Sequence, residues 1–226
     1  MSIFRRNKAA NDHPAQESVG EAEVEPTSGP EEPALLAGPF DAAEIDSAED
    51  GRLDLGALRI RGVGGMELRL EVDEQAQQVV GATAVIGESA VQLQVFAAPR
   101  TTGVWDDIRD EIAESIVSQG GTADEVRGEL GRELRTRMPS AGPDGRTVFA
   151  PARFVGVDGP RWFLRAMLVG AIATDKAKAA SFERVLRQVV VVRGVEPLPV
   201  REAVPLRLPK ELAAQTGDGE EQQAAE

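Results

Sequence analysis

Apolar and polar residues alternate with period two over several stretches of this chain, the pattern of strands with one covered face. In residues 66–72 (MELRLEV), Met66, Leu68, Leu70 and Val72 fall on one side and Glu67, Arg69 and Glu71 on the other. This predicts a half-buried strand of an antiparallel sheet, with the apolar set inward. Gln78–Ile86 and 90–97 repeat the type on either side of Gly87-Glu88-Ser89, and in the second of them Val91, Leu93, Val95 and Ala97 alternate against Gln92, Gln94 and Phe96. Residues 52–61 (RLDLGALRIR) predict a further strand, with Leu53, Leu55 and either Ala57 or Leu58 on one face.

The period changes at 104–118, where Trp105, Ile108, Ile112 and Ile116 recur at helical spacing. Asp106 and Asp107 fall in the first turn, where the helix dipole favours acid, and Gly120-Gly121 supplies a stop. An amphipathic helix lying on the sheet is expected, with Trp105 as its packing anchor. Residues 125–138 (EVRGELGRELRTRM) fit either a helix interrupted by Gly128 and Gly131 or two short strands with a bulge. Each internal glycine costs a helix about 1 kcal/mol, which favours strands. Residues 139–147 (PSAGPDGRT) read as a loop.

Residues 154–170 (FVGVDGPRWFLRAMLVG) predict a β-hairpin, two apolar, β-prone runs around Asp158-Gly159-Pro160. Thr174-Asp175 then caps a second helix with Phe182, Val185, Leu186 and Val189 on one face. Four prolines punctuate 197–209, which predicts an extended, polyproline-like arm rather than a sheet element. Runs of strands with two helices and no βαβ alternation give an α+β class, a mainly antiparallel sheet with two amphipathic helices packed on it. The expected organisation is a disordered acidic tail over 1–37, one α+β domain over 38–210 ending in the arm 196–209, and a second disordered acidic tail over 211–226.

Charge sharpens that division. The chain has a net charge of −13, yet residues 9–50 hold twelve acidic residues and no Lys or Arg, and residues 211–226 hold five and no base. The remaining 51–210 carry 22 basic and 21 acidic side chains, and nineteen of the bases are Arg. The acidity therefore belongs to the tails. Arg suits bidentate recognition of carboxylate or phosphate, though it is also a routine surface and salt-bridge residue. A near-neutral core without a nucleic-acid motif speaks against nucleic-acid binding.

The missing residue types exclude much chemistry. With no cysteine there are no disulfides, zinc–thiolate sites or thiolate nucleophiles, which suits a reducing cytosol. There is no tyrosine, and the one histidine, His13, lies in the acidic N-terminal segment. Neither Ser-His-Asp nor Cys-His machinery nor a His-based metal site can be assembled in the core. No cofactor is implied. No window reaches the roughly 20 apolar residues of a transmembrane helix, and residues 1–10 (MSIFRRNKAA) lack the apolar stretch of a secretory signal. A cytoplasmic location is expected.

Among candidate sites, the unit Asp158–Trp162 (DGPRW) is the sharpest. Arg161 beside Trp162 at a hairpin tip can hold an anionic or aromatic ligand through charge and stacking. Equally, Asp-Gly-Pro builds the turn, Trp162 sits in the core and Arg161 is solvated. Arg153, Arg161 and Arg165, with Arg100, can gather beside the hairpin as a phosphate or carboxylate patch. Asp107 and Glu111, four apart on the first helix, can face a hard cation or form its solvated face, and nothing else completes a coordination set. The glycines of 61–65 (RGVGG) lack the Lys-Ser/Thr and helix of a phosphate loop and read as a turn. The arm can pack back on its own domain or dock on a partner or second subunit.

FVGVDGPRWFLR (154–165), followed by VVVRG (190–194) and EPLPVREAVPLRLP (196–209), resembles an uncharacterised actinobacterial family, the domain of unknown function numbered thirty-seven-ten. GPFD (38–41), RLDLGALRI (52–60) and FAAPR (96–100) with Trp105 are similar to it as well, so that the likeness covers about residues 38–210. The resemblance implies a small soluble cytoplasmic protein with no established activity, cofactor or catalytic residue. The layout is also similar to the antiparallel α/β sandwich of photosystem P-subunit-like proteins. These features point to a non-enzymatic interaction or ligand-binding module, contacting a protein partner or a small anionic ligand through Asp158, Arg161, Trp162, Arg165 and Arg153. The alternative is a regulator or enzyme that binds a nucleotide-like anionic metabolite through Asp158 and Arg161. A homodimer sealed by the arm is a third possibility.

Overall fold

The computed structural model of the chain describes residues 38–45, 51–101, 103–142 and 144–209. The two acidic segments read as disordered tails, with His13, lie outside the described residues. In chain order, β1 (Phe40–Asp41), β2 (Leu53–Asp54) and β3 (Leu58–Ile60) are short, and β4 (Glu67–Asp73), β5 (Gln78–Ile86) and β6 (Ser89–Ala97) follow as a meander. Helix α1 (Trp105–Ser118) leads into β7 (Thr122–Gly128), β8 (Gly131–Ala141), β9 (Thr147–Gly159) and β10 (Trp162–Val169). A 3-10 turn at Gly170–Ala173, helix α2 (Lys176–Gln188) and β11 (Val190–Val191) complete the elements.

The large sheet runs β4-β5-β6-β10-β9-β8-β7 and the small one β1-β11-β3-β2. Every pairing is antiparallel except β1–β11, which bears out the α+β class. Alternation along the strands divides the large sheet into two buried faces. Trp162, Leu164, Ala166 and Leu168 of β10 pack with Phe182, Val185 and Leu186 of α2 and with Leu55, Leu58 and Ile60. Phe163 of the same strand packs oppositely, with Trp105 and Ile116 of α1 and Phe154 of β9. Both helices appear where their spacing put them. Asp175 caps α2, its Oδ1 accepting from the backbone N–H groups of Ala177 and Lys178. No helix among the described residues is long and apolar enough to cross a membrane.

Several local expectations need correction. Residues 52–61 form a hairpin rather than one strand, because Asp54 Oδ1 accepts from the Gly56 N–H at 2.8 Å and turns the chain. Leu53 is consequently exposed while Leu55, Ala57, Leu58 and Ile60 are buried. Val72 does not point inward. The β4–β5 register shifts between Glu71 and Val72, and this irregularity leaves Val72 57% exposed. Residues 125–138 form the favoured strands, paired from Thr122↔Arg137 to Gly128↔Gly131. The loop expected over 139–147 is shorter, since β8 reaches Ala141 and β9 begins at Thr147.

The arm is extended and forms no strand of either sheet. It packs in cis, meeting the large sheet through isolated bridges at Ala203 and Leu206. The registers of β5 and β6 pair from Ile86↔Ser89 to Ala82↔Leu93 and stop there. Beyond that point Ala97 N–H donates to Glu202 O, Arg201 N–H to Ala97 O and Val204 N–H to Val95 O, all on β6. Leu206 N–H donates to Val79 O on β5 and Arg207 N–H to Leu55 O. Pro205, which has no N–H to offer, falls between the donors Val204 and Leu206, so the prolines do not interrupt these bonds. The side chains of Val204 and Leu206 join the core.

Candidate functional site

Strand parity separates the residues that the sequence grouped beside the hairpin. On the hairpin, Phe163 pairs with Asp158, Arg165 with Gly156 and Leu168 with Arg153. Arg165 and Asp158 therefore share the α1 face with Phe163, while Arg153 shares the α2 face with Trp162 and Leu168. Arg153, Arg161 and Arg165 do not form one patch.

Trp162 and Asp158 are both engaged in packing the fold. Trp162 is 2% exposed, and its Nε1–H donates to Asp41 Oδ2 at 2.6 Å. The indole lies directly on Gly159, where a Cβ would overlap it. Asp158 accepts from the backbone N–H of Val104 at 2.7 Å and of Trp105 at 3.4 Å, at the start of α1. Arg161 occupies the turn with a φ of +64°, and Pro160 before it matches the type II pattern. Its guanidinium donates to Gly194 O at 3.2 Å, and its carbonyl accepts from Ala98 N–H at 3.0 Å.

Arg153 is buried between two buried carboxylates. Its Nε stands 3.0 Å from Glu133 Oε2 on β8, and its Nη2 donates to Glu183 Oε1 on α2 at 2.6 Å. Arg135 adds a second cation to Glu133 at 3.1 Å. The Nε contact with Glu133 has an ion pair's distance without a hydrogen bond's alignment. The triad ties two strands to a helix, and each of its charges has a partner of opposite sign.

Arg165 differs. Its side chain is half-buried and its Nη2 donates to the neutral Gln94 Oε1, while the guanidinium lies 5.0 Å from the centre of the Phe96 ring. Among the described residues no carboxylate comes within 4.0 Å of it. Burial pushes it below the ordinary arginine range, and the charge of Glu71 opposes the shift only in part. Glu71 is committed elsewhere, accepting from Thr83 Oγ1 and from Gln92 Nε2. A guanidinium still carries its charge under these conditions.

Arg165 faces a cleft of about 380 Å³ between α1 and the sheet. The walls are apolar, with Phe96, Phe154 and Phe163 from the strands and Ile108, Ile112 and Ile116 from the helix. Arg201 closes one side, its Nη1 donating to Glu111 Oε1 at 2.6 Å and its Nη2 standing 3.7 Å from Asp107. Asp107 and Glu111, considered for a cation, thus meet the arm's guanidinium. Phe96 and Arg201 were not singled out from the sequence. The available signal for Phe96 was its place among glutamines on the polar side of an alternating strand.

Comparison with known proteins adds a family and no activity. No curated protein matches the chain. Among solved structures, the solution structure of cyanobacterial PsbP (CyanoP) from Synechocystis sp. PCC 6803 is similar at 12% identity with a TM-score of 0.37, over 68% of this chain and 99% of that one. Residues 38–215 match the family described as "Protein of unknown function (DUF3710)", and the chain belongs to that family.

Proposed function

We propose that this chain is a non-enzymatic binding module of the cytosol, folded as one domain over 38–210. It takes an anionic ligand with an apolar body in the cleft between α1 and the large sheet. The observation that carries this is Arg165, a half-buried cation that stacks on Phe96, is paired with a neutral amide and opens on an apolar cleft. Buried charges are ordinarily paired, and a ligand carboxylate seated against Arg165 supplies the missing partner through the planar fork of the guanidinium. The phenylalanine and isoleucine walls receive the apolar remainder, in keeping with small-molecule sites that are mostly apolar with a few placed polar groups. The absence of Cys and Tyr and the position of His13 support a binding rather than a catalytic role.

The alternative through Asp158 and Arg161 draws less support, because the Asp158 carboxylate faces the α1 N-terminus and Arg161 is held in the turn. The test is calorimetric titration of the full chain with octanoate and with 3-phenylpropionate, beside Arg165→Gln. Binding by the wild type that weakens about tenfold or more in the variant, at an unchanged melting temperature, is expected. Silence towards both carboxylates, or equal binding by the variant, overturns the proposal.

A further inference from the structure

On the opposite side of the large sheet, a second cleft of about 550 Å³ lies between α2, the β5–β6 turn and the glycine loop after β3. Gly170 makes this meeting possible. Its φ is +81°, and a Cβ there would overlap the carbonyl oxygen of Glu88, so the 3-10 turn approaches the β5–β6 turn at backbone distance. The lining combines four kinds of group. Lys178, Ser181 and Arg184 are spaced three apart along one ridge of α2. Ser89 faces them from the start of β6, Glu88 stands beside it, and Ile172 and Val63 supply apolar surface.

Two of these groups lack a counterpart. Ser89 is 8% exposed, and among the described residues its hydroxyl makes no hydrogen bond within the protein; the oxygen is not itself buried, so it is open to a ligand in the cleft it lines. Arg184 has no carboxylate within 4.0 Å among the described residues. Lys178 is held loosely, 3.8 Å from Asp175. The glycine loop was excluded as a phosphate loop in its own right, and it now forms one wall of a cleft whose cations come from α2.

We infer that this cleft is a separate binding site for a small hydroxylated phosphomonoester. Two cations and two hydroxyls offer more donors than a carboxylate's two oxygens use, and they suit the oxygens of a phosphate. Glu88 is an acceptor with no place in holding an anion, and it fits a hydroxyl on the ligand's body. The inference rests on different residues from the Arg165 cleft, and either can fail without the other.

The experiment is calorimetric titration of the full chain with inorganic phosphate, ribose 5-phosphate and ribose. Ribose 5-phosphate should bind more tightly than phosphate, and ribose alone should not bind. Arg184→Gln and Lys178→Gln should each weaken ribose 5-phosphate by about tenfold, and Glu88→Ala, which removes the acceptor, should remove its advantage over phosphate. Arg165→Gln, which disables only the other cleft, should leave the ribose 5-phosphate affinity at its wild-type value. Arg184 and Lys178 are exposed side chains, so unchanged melting of their variants separates loss of binding from loss of fold. No heat from either phosphate at millimolar concentration overturns the inference. So does binding that survives both α2 substitutions, or binding lost in Arg165→Gln instead.

Discussion

The Asp158 carboxylate, near the end of β9, accepts a hydrogen bond from the Val104 backbone N–H at 2.7 Å. Helix α1 has no side-chain cap of its own, since its N-cap residue is Val104, and the hairpin supplies the missing acceptor across 54 positions of sequence. An acceptor at that place also meets the positive end of the helix dipole. Asp158→Ala should therefore cost about 1–2 kcal/mol, the worth of an N-cap, and Asp158→Asn, which keeps an acceptor oxygen, should cost less. Urea denaturation followed by tryptophan fluorescence measures both. Two variants equal to wild type would show that the contact stabilises nothing.

The Glu133–Arg153–Glu183 triad joins β8, β9 and α2 inside the protein. Removing one partner of a buried ion pair leaves an uncompensated charge, whereas replacing the whole set by apolar groups of similar size is often neutral. Arg153→Met alone is expected to lose about 3–5 kcal/mol. Adding Glu133→Leu and Glu183→Leu should recover most of that loss. Denaturation midpoints decide it, and a triple variant weaker than the single one would contradict this account.

Periodicity made the outline legible, and burial on both faces hid the site. The strands β4, β5 and β6 alternate because their two faces differ in polarity, and α1 and α2 show helical spacing for the same reason. In β9 and β10 helices cover both faces, so 154–157 and 162–169 read as nearly continuous apolar runs. Such runs show no preferred side, which is why Arg153 and Arg165 looked like neighbours and lie back to back. Trp162 and Arg165 were legible as unusual residues, but their partners Asp41 and Phe96 are 121 and 69 positions away. The prolines marked the arm as extended, but whether it packs in cis could not be read locally, because nothing in the sequence reveals that β5 and β6 part beyond Ala82 and Leu93.

Glu129, at the turn between β7 and β8, faces Lys176 Nζ at 3.0 Å and Arg187 at 3.4 Å. The hydrogen bond to Lys176 and its charge hold the Glu129 carboxyl below its ordinary value. A carboxyl lowered in the folded state contributes stability that is complete above its unfolded pKa and is lost as the pH falls through the folded one. The group is exposed, so screening keeps the contribution small. Lys176→Gln should move the Glu129 titration upward and flatten the acid side of the stability profile. Carboxyl NMR titration reads the first directly, and an unmoved titration would remove Lys176 as the cause.

Arg201 joins the arm to α1 while holding a φ of +71°, a conformation that costs any residue with a Cβ. The strain is offset where its guanidinium meets Glu111 and Asp107 and its N–H donates to Ala97 O at 2.7 Å. The hydrogen bond to Glu111 raises the guanidinium further above its ordinary range, and salt screens an exposed pair of this kind. Two substitutions separate backbone from side chain. Arg201→Ala loses the ion pairs and keeps the strained φ, whereas Arg201→Gly loses the ion pairs and relaxes the strain, so the glycine variant should melt above the alanine variant. Both should open the side of the cleft that Arg201 lines and speed release of a carboxylate bound at Arg165, which stopped-flow displacement measures. Equal melting of the two variants would mean that the arm follows this path without strain, and unchanged release rates would place Arg201 outside the ligand's exit.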